Sequence, residues 1–159
     1  MKLTVITVGK PGALLADAIR EYEQRAARYW NLEFIEIRSG SGAGGADPDR
    51  VREAESKRLL ARVPPGTELI ALTRTGGDAW SSSRLSRHLA GMAVQGSAGA
   101  SFIIGGALGL SDDAIRASDR RMRLSTFTLP HDLARLVLAE QLYRAGSIMR
   151  NEPYHKAPE

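Results

Sequence analysis

FTLPHDLARLVLAEQLYRAGSIMRNEPYH, Phe127 to His155, is the stretch whose reading decides the fold. A Pro-His pair opens a long apolar helix, and a polar tail carrying Tyr154 and His155 follows it. The helix is expected from about His131 to Arg150. Its apolar residues (Leu133, Leu136, Val137, Leu138, Leu142, Tyr143, Ile148 and Met149) occupy more than one face. A helix buried on a single side needs fewer, so part of it is expected in a subunit interface. The tail is as unusual as the helix, because a purely structural terminus more often fades into bland polar residues.

Upstream, strand and helix signals alternate. LTVITVG, Leu3 to Gly9, is a β-branched run stopped by glycine and reads as a buried strand. Leu15, Ile19, Tyr22, Ala26 and Tyr29 recur at helical spacing, which predicts a helix from about Gly12 to Trp30. LEFIEIR is a second strand, and Asp47-Pro48 reads as an N-cap with proline at the first helical position of a helix ending near Val63. TELIALT, Thr67 to Thr73, is a strand that leads into the polar loop RTGGDAWSS; Leu85, Leu89 and Met92 mark a helix; ASFIIGG is another strand. Ser111-Asp112-Asp113 caps a short helix, and MRLSTFTL, Met122 to Leu129, is the last strand before the closing helix. This alternation predicts one α/β domain over residues 1–159, with a mostly parallel sheet covered by helices on both faces. The glycine-rich Ser39 to Ala46 segment is a flexible loop to which no function attaches.

Composition sets the outer bounds. Absence of cysteine removes disulfide and thiolate chemistry. The opening MKLTVITVGK is too short an apolar run for a signal peptide, and no run reaches the roughly 18 to 20 residues of a membrane helix, so a cytoplasmic protein without membrane partners is expected. The formal net charge is +4, and 18 of the 22 basic residues are Arg. Either a polyanionic partner or the codon preference of a GC-rich genome explains the arginines.

In a parallel α/β sheet, ligands bind beyond the carboxyl ends of the strands. Three ends stand out: Leu72-Thr73, the glycine turn after Ile104, and Leu124 to His131. GGALG is neither the dinucleotide fingerprint nor the phosphate loop, and it lacks the lysine that would grip a nucleotide phosphate. Paired glycines permit either close approach of a flat ligand or simply a tight turn. His88, His131 and His155 are far apart and form no metal motif, so no metal is expected. No nucleophile elbow suggests a serine hydrolase.

VGK near the start, FIIGGALGL in the middle, and Phe127 to His131, Arg135, Leu138 to Ala145, Asn151 and Pro153 to Lys156 at the end resemble one family over nearly the whole chain. This is the ribosomal RNA large subunit methyltransferase H family of the SPOUT superfamily. The last thirty residues carry the most specific part of the likeness, and Ala107 is a variant within the middle motif. The resemblance implies methyl transfer from S-adenosylmethionine to N3 of a pseudouridine in 23S large-subunit rRNA, by a homodimer whose C-terminal chain forms a trefoil knot. It implies a cofactor pocket at Leu72, Gly105, Gly106 and Leu124-Ser125-Thr126-Phe127-Thr128-Leu129.

In that pocket Leu124, Phe127 and Leu129 offer an apolar slot for adenine, with backbone amides for its edge. Catalysis must align N3 with the methyl group and handle the imide proton. His131 is a candidate proton acceptor or phosphate ligand, and equally a capping residue. Arg144 either stabilises an imide anion or pairs with Glu140 within the helix. Tyr154 is expected to stack on a base, and His155 and Lys156 to contact the RNA backbone. A methyltransferase of the same superfamily acting on tRNA, and a non-catalytic RNA-binding module, are the alternatives.

Overall fold

A computed structural model describes residues 1–40, 45 and 47–156, so most of the Ser39 to Ala46 loop lies outside the described residues. In chain order the elements are β1 (Lys2–Val8), α1 (Ala13–Ala26), β2 (Asn31–Ile37), α2 (Pro48–Leu60), β3 (Glu68–Leu72), β4 (Asp78–Ala79), α3 (Ser82–Val94), β5 (Gly99–Ile104), α4 (Asp112–Ala117), β6 (Arg120–Arg123) and α5 (His131–Met149). A 3₁₀ turn, Pro153–Lys156, follows α5. The six strands form one sheet in the order β2-β1-β5-β3-β6-β4, and every pairing is parallel.

The central strands explain their own sequences. All of β5 is buried, and so is β1 after its first residue, because helices cover both faces. Such strands read as continuous apolar runs rather than alternating ones. One face carries α1, α3 and α5 over Leu3, Val5, Phe102 and Ile104, with Leu89, Leu138 and Leu142 from the helices. The other carries α2 and α4 over Ile6, Val8 and Ile103, with Leu59 and Ala114. Caps fall where the side chains predict them: Asp47 accepts from the Asp49 amide before Pro48, and Ser111 from the Ala114 amide.

Three expectations need correction. The last strand ends at Arg123 rather than Leu129. Its neighbour β3 stops at Leu72, and β4 continues the pairing only to Ala79, so Leu124 to Leu129 has no strand beside it. Ser125 Oγ instead accepts from the Phe127 amide at 2.9 Å, a local turn that competes with extension. The loop after β3 contains the two-residue strand β4, too short for periodicity to reveal. Helix α1 stops at Ala26, and Trp30 turns inward so that its indole donates to the Leu142 carbonyl at 2.8 Å.

Candidate active site

Because β5, β3 and β6 are adjacent and parallel, their carboxyl ends open onto a single cleft. Leu72, Thr73, Arg74 and Thr75 line it from the first loop, Ile104 to Gly106 and Leu108 to Leu110 from the second, and Leu124, Ser125, Phe127 and Leu129 from the third. Ile115, His131 and Ala134 complete the wall. Leu72, Gly105, Gly106, Leu124, Ser125, Phe127, Leu129 and His131, expected from sequence, are thus brought together. Thr126 and Thr128 are exposed and not part of the lining. Phe127 is 81% exposed, a large apolar ring left at the rim.

The glycines hold their loop tightly folded. The Gly109 amide donates to the Gly106 carbonyl at 3.0 Å, and Gly109 takes φ +78°, a left-handed conformation that costs a side-chain-bearing residue roughly 1–2 kcal/mol. A Cβ on Gly105 would sit 2.5 Å from the Gly109 carbonyl carbon. A Cβ on Gly106 would sit 2.8 Å from Glu55 Oε2 and 3.2 Å from Val8 Cγ1. Gly106 therefore makes room for Val8 and a buried carboxylate, while its backbone lines the cleft. The turn is tight, and Gly105, Gly106 and Gly109 line the cleft.

Charge in the cleft is one-sided, since no Asp or Glu belongs to the lining. Arg74 reaches across from the β3 loop and donates from Nη2 to the Ala107 carbonyl at 2.8 Å and the Gly106 carbonyl at 3.4 Å. No sequence signal marked it, because one arginine in a polar loop looks like any other. His131 starts α5 with Nε2 3.2 Å from Asp132 Oδ1, and Asp132 Oδ2 accepts from the Gly12 amide at 2.7 Å.

Arg144, Tyr154, His155 and Lys156 lie at the opposite end of α5. Nineteen residues at 1.5 Å rise make α5 roughly 28 Å long, and the tail meets it at Glu140 and Tyr143, roughly 14 to 18 Å along it from His131. Here the tail is folded back rather than frayed. The Tyr154 ring packs 4.3 Å from that of Tyr143, and its hydroxyl donates to Glu140 Oε1 at 3.0 Å. Arg144 pairs with the same carboxylate at 3.0 Å and lies 4.9 Å over the Tyr154 ring. Burial, then the bond to Glu140, pushes the Tyr154 phenol well above its ordinary range. Tyr29 donates to Glu152, and that bond with burial raises its phenol to about 12. His155 Nδ1 is buried with no hydrogen-bond partner.

A second cleft runs beside α5, lined by Trp80, Ser81 to Ser83, Arg123, Val137 and Gln141 among others. Trp80 Nε1 and Arg123 Nε, both buried, find no acceptor. Leu133, Leu136 and Val137 remain only partly covered on the outer side of α5.

Among the described residues no group of three or more His, Asp or Glu could hold a metal ion, and no helix is long and apolar enough to cross a membrane. The model of a family described as "Predicted SPOUT methyltransferase" matches residues 1–155. "Ribosomal RNA large subunit methyltransferase H" of Gemmatimonas aurantiaca is 44% identical over 98% of this chain and 100% of its own length. The protein of that name from Burkholderia cenocepacia is 39% identical over 99% and 100%. Among solved structures, a probable methyltransferase from Bordetella pertussis Tohama I superposes with TM-score 0.53 at 16% identity, covering 91% of this chain and 95% of that one, a likeness of fold. Family match and full-length identity agree: the chain belongs to the SPOUT methyltransferases, among the relatives named ribosomal RNA large subunit methyltransferase H.

Proposed function

We propose that this protein transfers a methyl group from S-adenosylmethionine to N3 of a pseudouridine in 23S large-subunit rRNA. It acts in the cytoplasm as a homodimer on the assembled ribosome, with residues 1–159 forming one domain closed by a C-terminal trefoil knot. The observation that carries the reading is the convergence of three neighbouring strand ends on one cleft, with glycine backbone on one side and Leu124, Phe127 and Leu129 on the other. That lining suits the donor: an apolar slot for adenine, bare backbone beside Gly105, and no carboxylate to trap the sulfonium. The bound donor supplies an electrophilic methyl group, so the chemistry calls for no metal.

The chain's own tasks are then positioning and proton handling. Thr126 and Thr128 contribute backbone to the donor's loop rather than side chains to its wall. No tail residue lines the cleft of its own chain, which favours a composite site. In it, Tyr154, His155 and Lys156 of the partner subunit hold the target nucleotide against this subunit's donor. His155, whose Nδ1 has no partner, takes the imide proton; His131 is held beside Asp132 and orients the start of α5. Arg144 braces Tyr154 through Glu140 and becomes available to phosphate when the tail lifts. The unsatisfied Trp80 and Arg123 donors beside the half-covered α5 face are where a second subunit would supply acceptors.

The test is methyl transfer from labelled donor to purified ribosomes lacking the modification, with the product nucleoside mapped. Labelled N3-methylpseudouridine in 23S rRNA is the expected result. Transfer to tRNA and not to ribosomes would redirect the assignment to another substrate, and failure to bind the donor would leave an RNA-binding module.

A further inference from the structure

We infer that Arg74 is the anion-binding group of the cleft and takes the α-carboxylate of the donor's amino-acid portion. This rests on the cofactor reading of the cleft. Among the described residues Arg74 forms no ion pair; its contacts are the Gly106 and Ala107 carbonyls, which orient the guanidinium without neutralising it. Both contacts use Nη2, so Nε and Nη1 keep their hydrogens for a ligand. No acidic side chain lines the cleft to compete for the charge.

The donor's groups fit this polarity in one orientation. Adenine belongs on the apolar wall of Leu124, Phe127 and Leu129, and the adjoining wall is the polar loop containing Thr73, Arg74 and Thr75, which lies between it and the glycine loop because β3 lies between β6 and β5. An amino-acid chain extending from that adenine toward the polar wall brings its carboxylate to Arg74. A cation left unpaired there would repel both the sulfonium and the ammonium of the donor. Pairing it with the donor's single carboxylate turns that repulsion into a charge-assisted contact through a donor left free by the latch. The latch onto Gly106 and Ala107 has a second consequence: the guanidinium is already placed against the loop that bounds the donor, so little side-chain freedom is lost on binding.

Calorimetry with three ligands tests the assignment: S-adenosylmethionine, S-adenosylhomocysteine and decarboxylated S-adenosylmethionine, which lacks only the carboxylate. Arg74→Gln should weaken the first two roughly ten- to a hundredfold, the span of a lost hydrogen bond to a charged group. Its affinity for the decarboxylated donor should stay the same or tighten, since a repelling charge is gone. Arg74→Lys should fall between, retaining charge without the guanidinium's reach to both the loop carbonyls and the ligand. Arg74 is exposed, and unchanged circular dichroism should accompany both variants. Equal weakening of all three ligands would overturn the inference and leave Arg74 as a brace for the glycine loop. Unchanged donor affinity with lost transfer to RNA would overturn it in favour of a phosphate contact. Wild-type protein that binds none of the three would instead remove the cofactor reading itself.

Discussion

Deleting Asn151 to Glu159 separates donor binding from transfer, because no tail residue lines the cleft of its own chain. The deletion removes Tyr154, His155 and Lys156 but no residue that lines the cleft. It also removes the Tyr143–Tyr154 ring contact, the hydroxyl bond to Glu140 and the bond from Tyr29 to Glu152. The ring contact is worth about 0.5–1.5 kcal/mol and each hydrogen bond about 1 kcal/mol, so the truncated protein should lose roughly 3 kcal/mol of stability and remain folded. S-adenosylhomocysteine should bind it within about twofold of wild type, since the tail contributes nothing to the lining of its own cleft. Transfer to ribosomes should be abolished. Co-expressing the truncated chain with a full-length Gly105→Ala chain, each carrying its own purification tag, then asks which cleft the tail serves. Random pairing makes about half the dimers mixed, and a mixed dimer has one intact cleft facing one intact tail only if tails cross between subunits. Crossing predicts about a quarter of wild-type turnover in the unfractionated mixture and about half in the isolated mixed dimer; service within one subunit predicts none. Inactive mixed dimers would refute the composite site, and full turnover by the truncated homodimer would remove the tail from the reaction.

Gly105→Ala should destabilise the protein by about 1–3 kcal/mol through overpacking against the Gly109–Leu110 backbone, and should weaken donor binding; unchanged thermal midpoint and affinity would show that the turn has slack. Arg135 is buried and donates to Glu23 at 2.7 Å and Glu36 at 2.8 Å. Arg135→Leu should cost about 3 kcal/mol in urea unfolding, the low end for stranding buried charge because both carboxylates keep some water. The Tyr29 phenol, raised to about 12, favours the folded tail below the ordinary phenol range near 10, and that contribution fades as pH climbs through about 12. Ultraviolet titration of Glu152→Gln should show one phenol ionising earlier than in wild type; superimposable curves would dissolve the Tyr29–Glu152 link. Leu136→Glu should shift a micromolar dimer to monomer in sedimentation, and a wild-type monomer at that concentration would remove α5 from any interface.

How far the sequence carries depends on the range of the interaction responsible. Central strands β1 and β5 were legible because burial on both faces writes itself as a continuous apolar run. The caps at Asp47 and Ser111 were legible because their partners lie two or three residues away. The three loops of the cleft could be chosen in advance because a parallel sheet places all of them at one end. β6 was overextended since MRLSTFTL has strand composition throughout, whereas its true end is set by where β3 and β4 run out. The most local pattern was silent about Arg74: its acceptors lie 32 and 33 positions away, and only the adjacency of β3 and β5 brings them within reach. The tail shows the same limit from the other side. Tyr154 looks like a free recognition group in a string of letters, and only Arg144 offered a pair with Glu140 at helical spacing, yet the folded chain commits both to Glu140, in contacts within fourteen residues along the chain. A recognition role for them must therefore compete with docking already in place. This is why subunit mixing and the Glu152→Gln titration, which report on the tail undocking as well as on turnover, test the composite site more sharply than loss of activity alone.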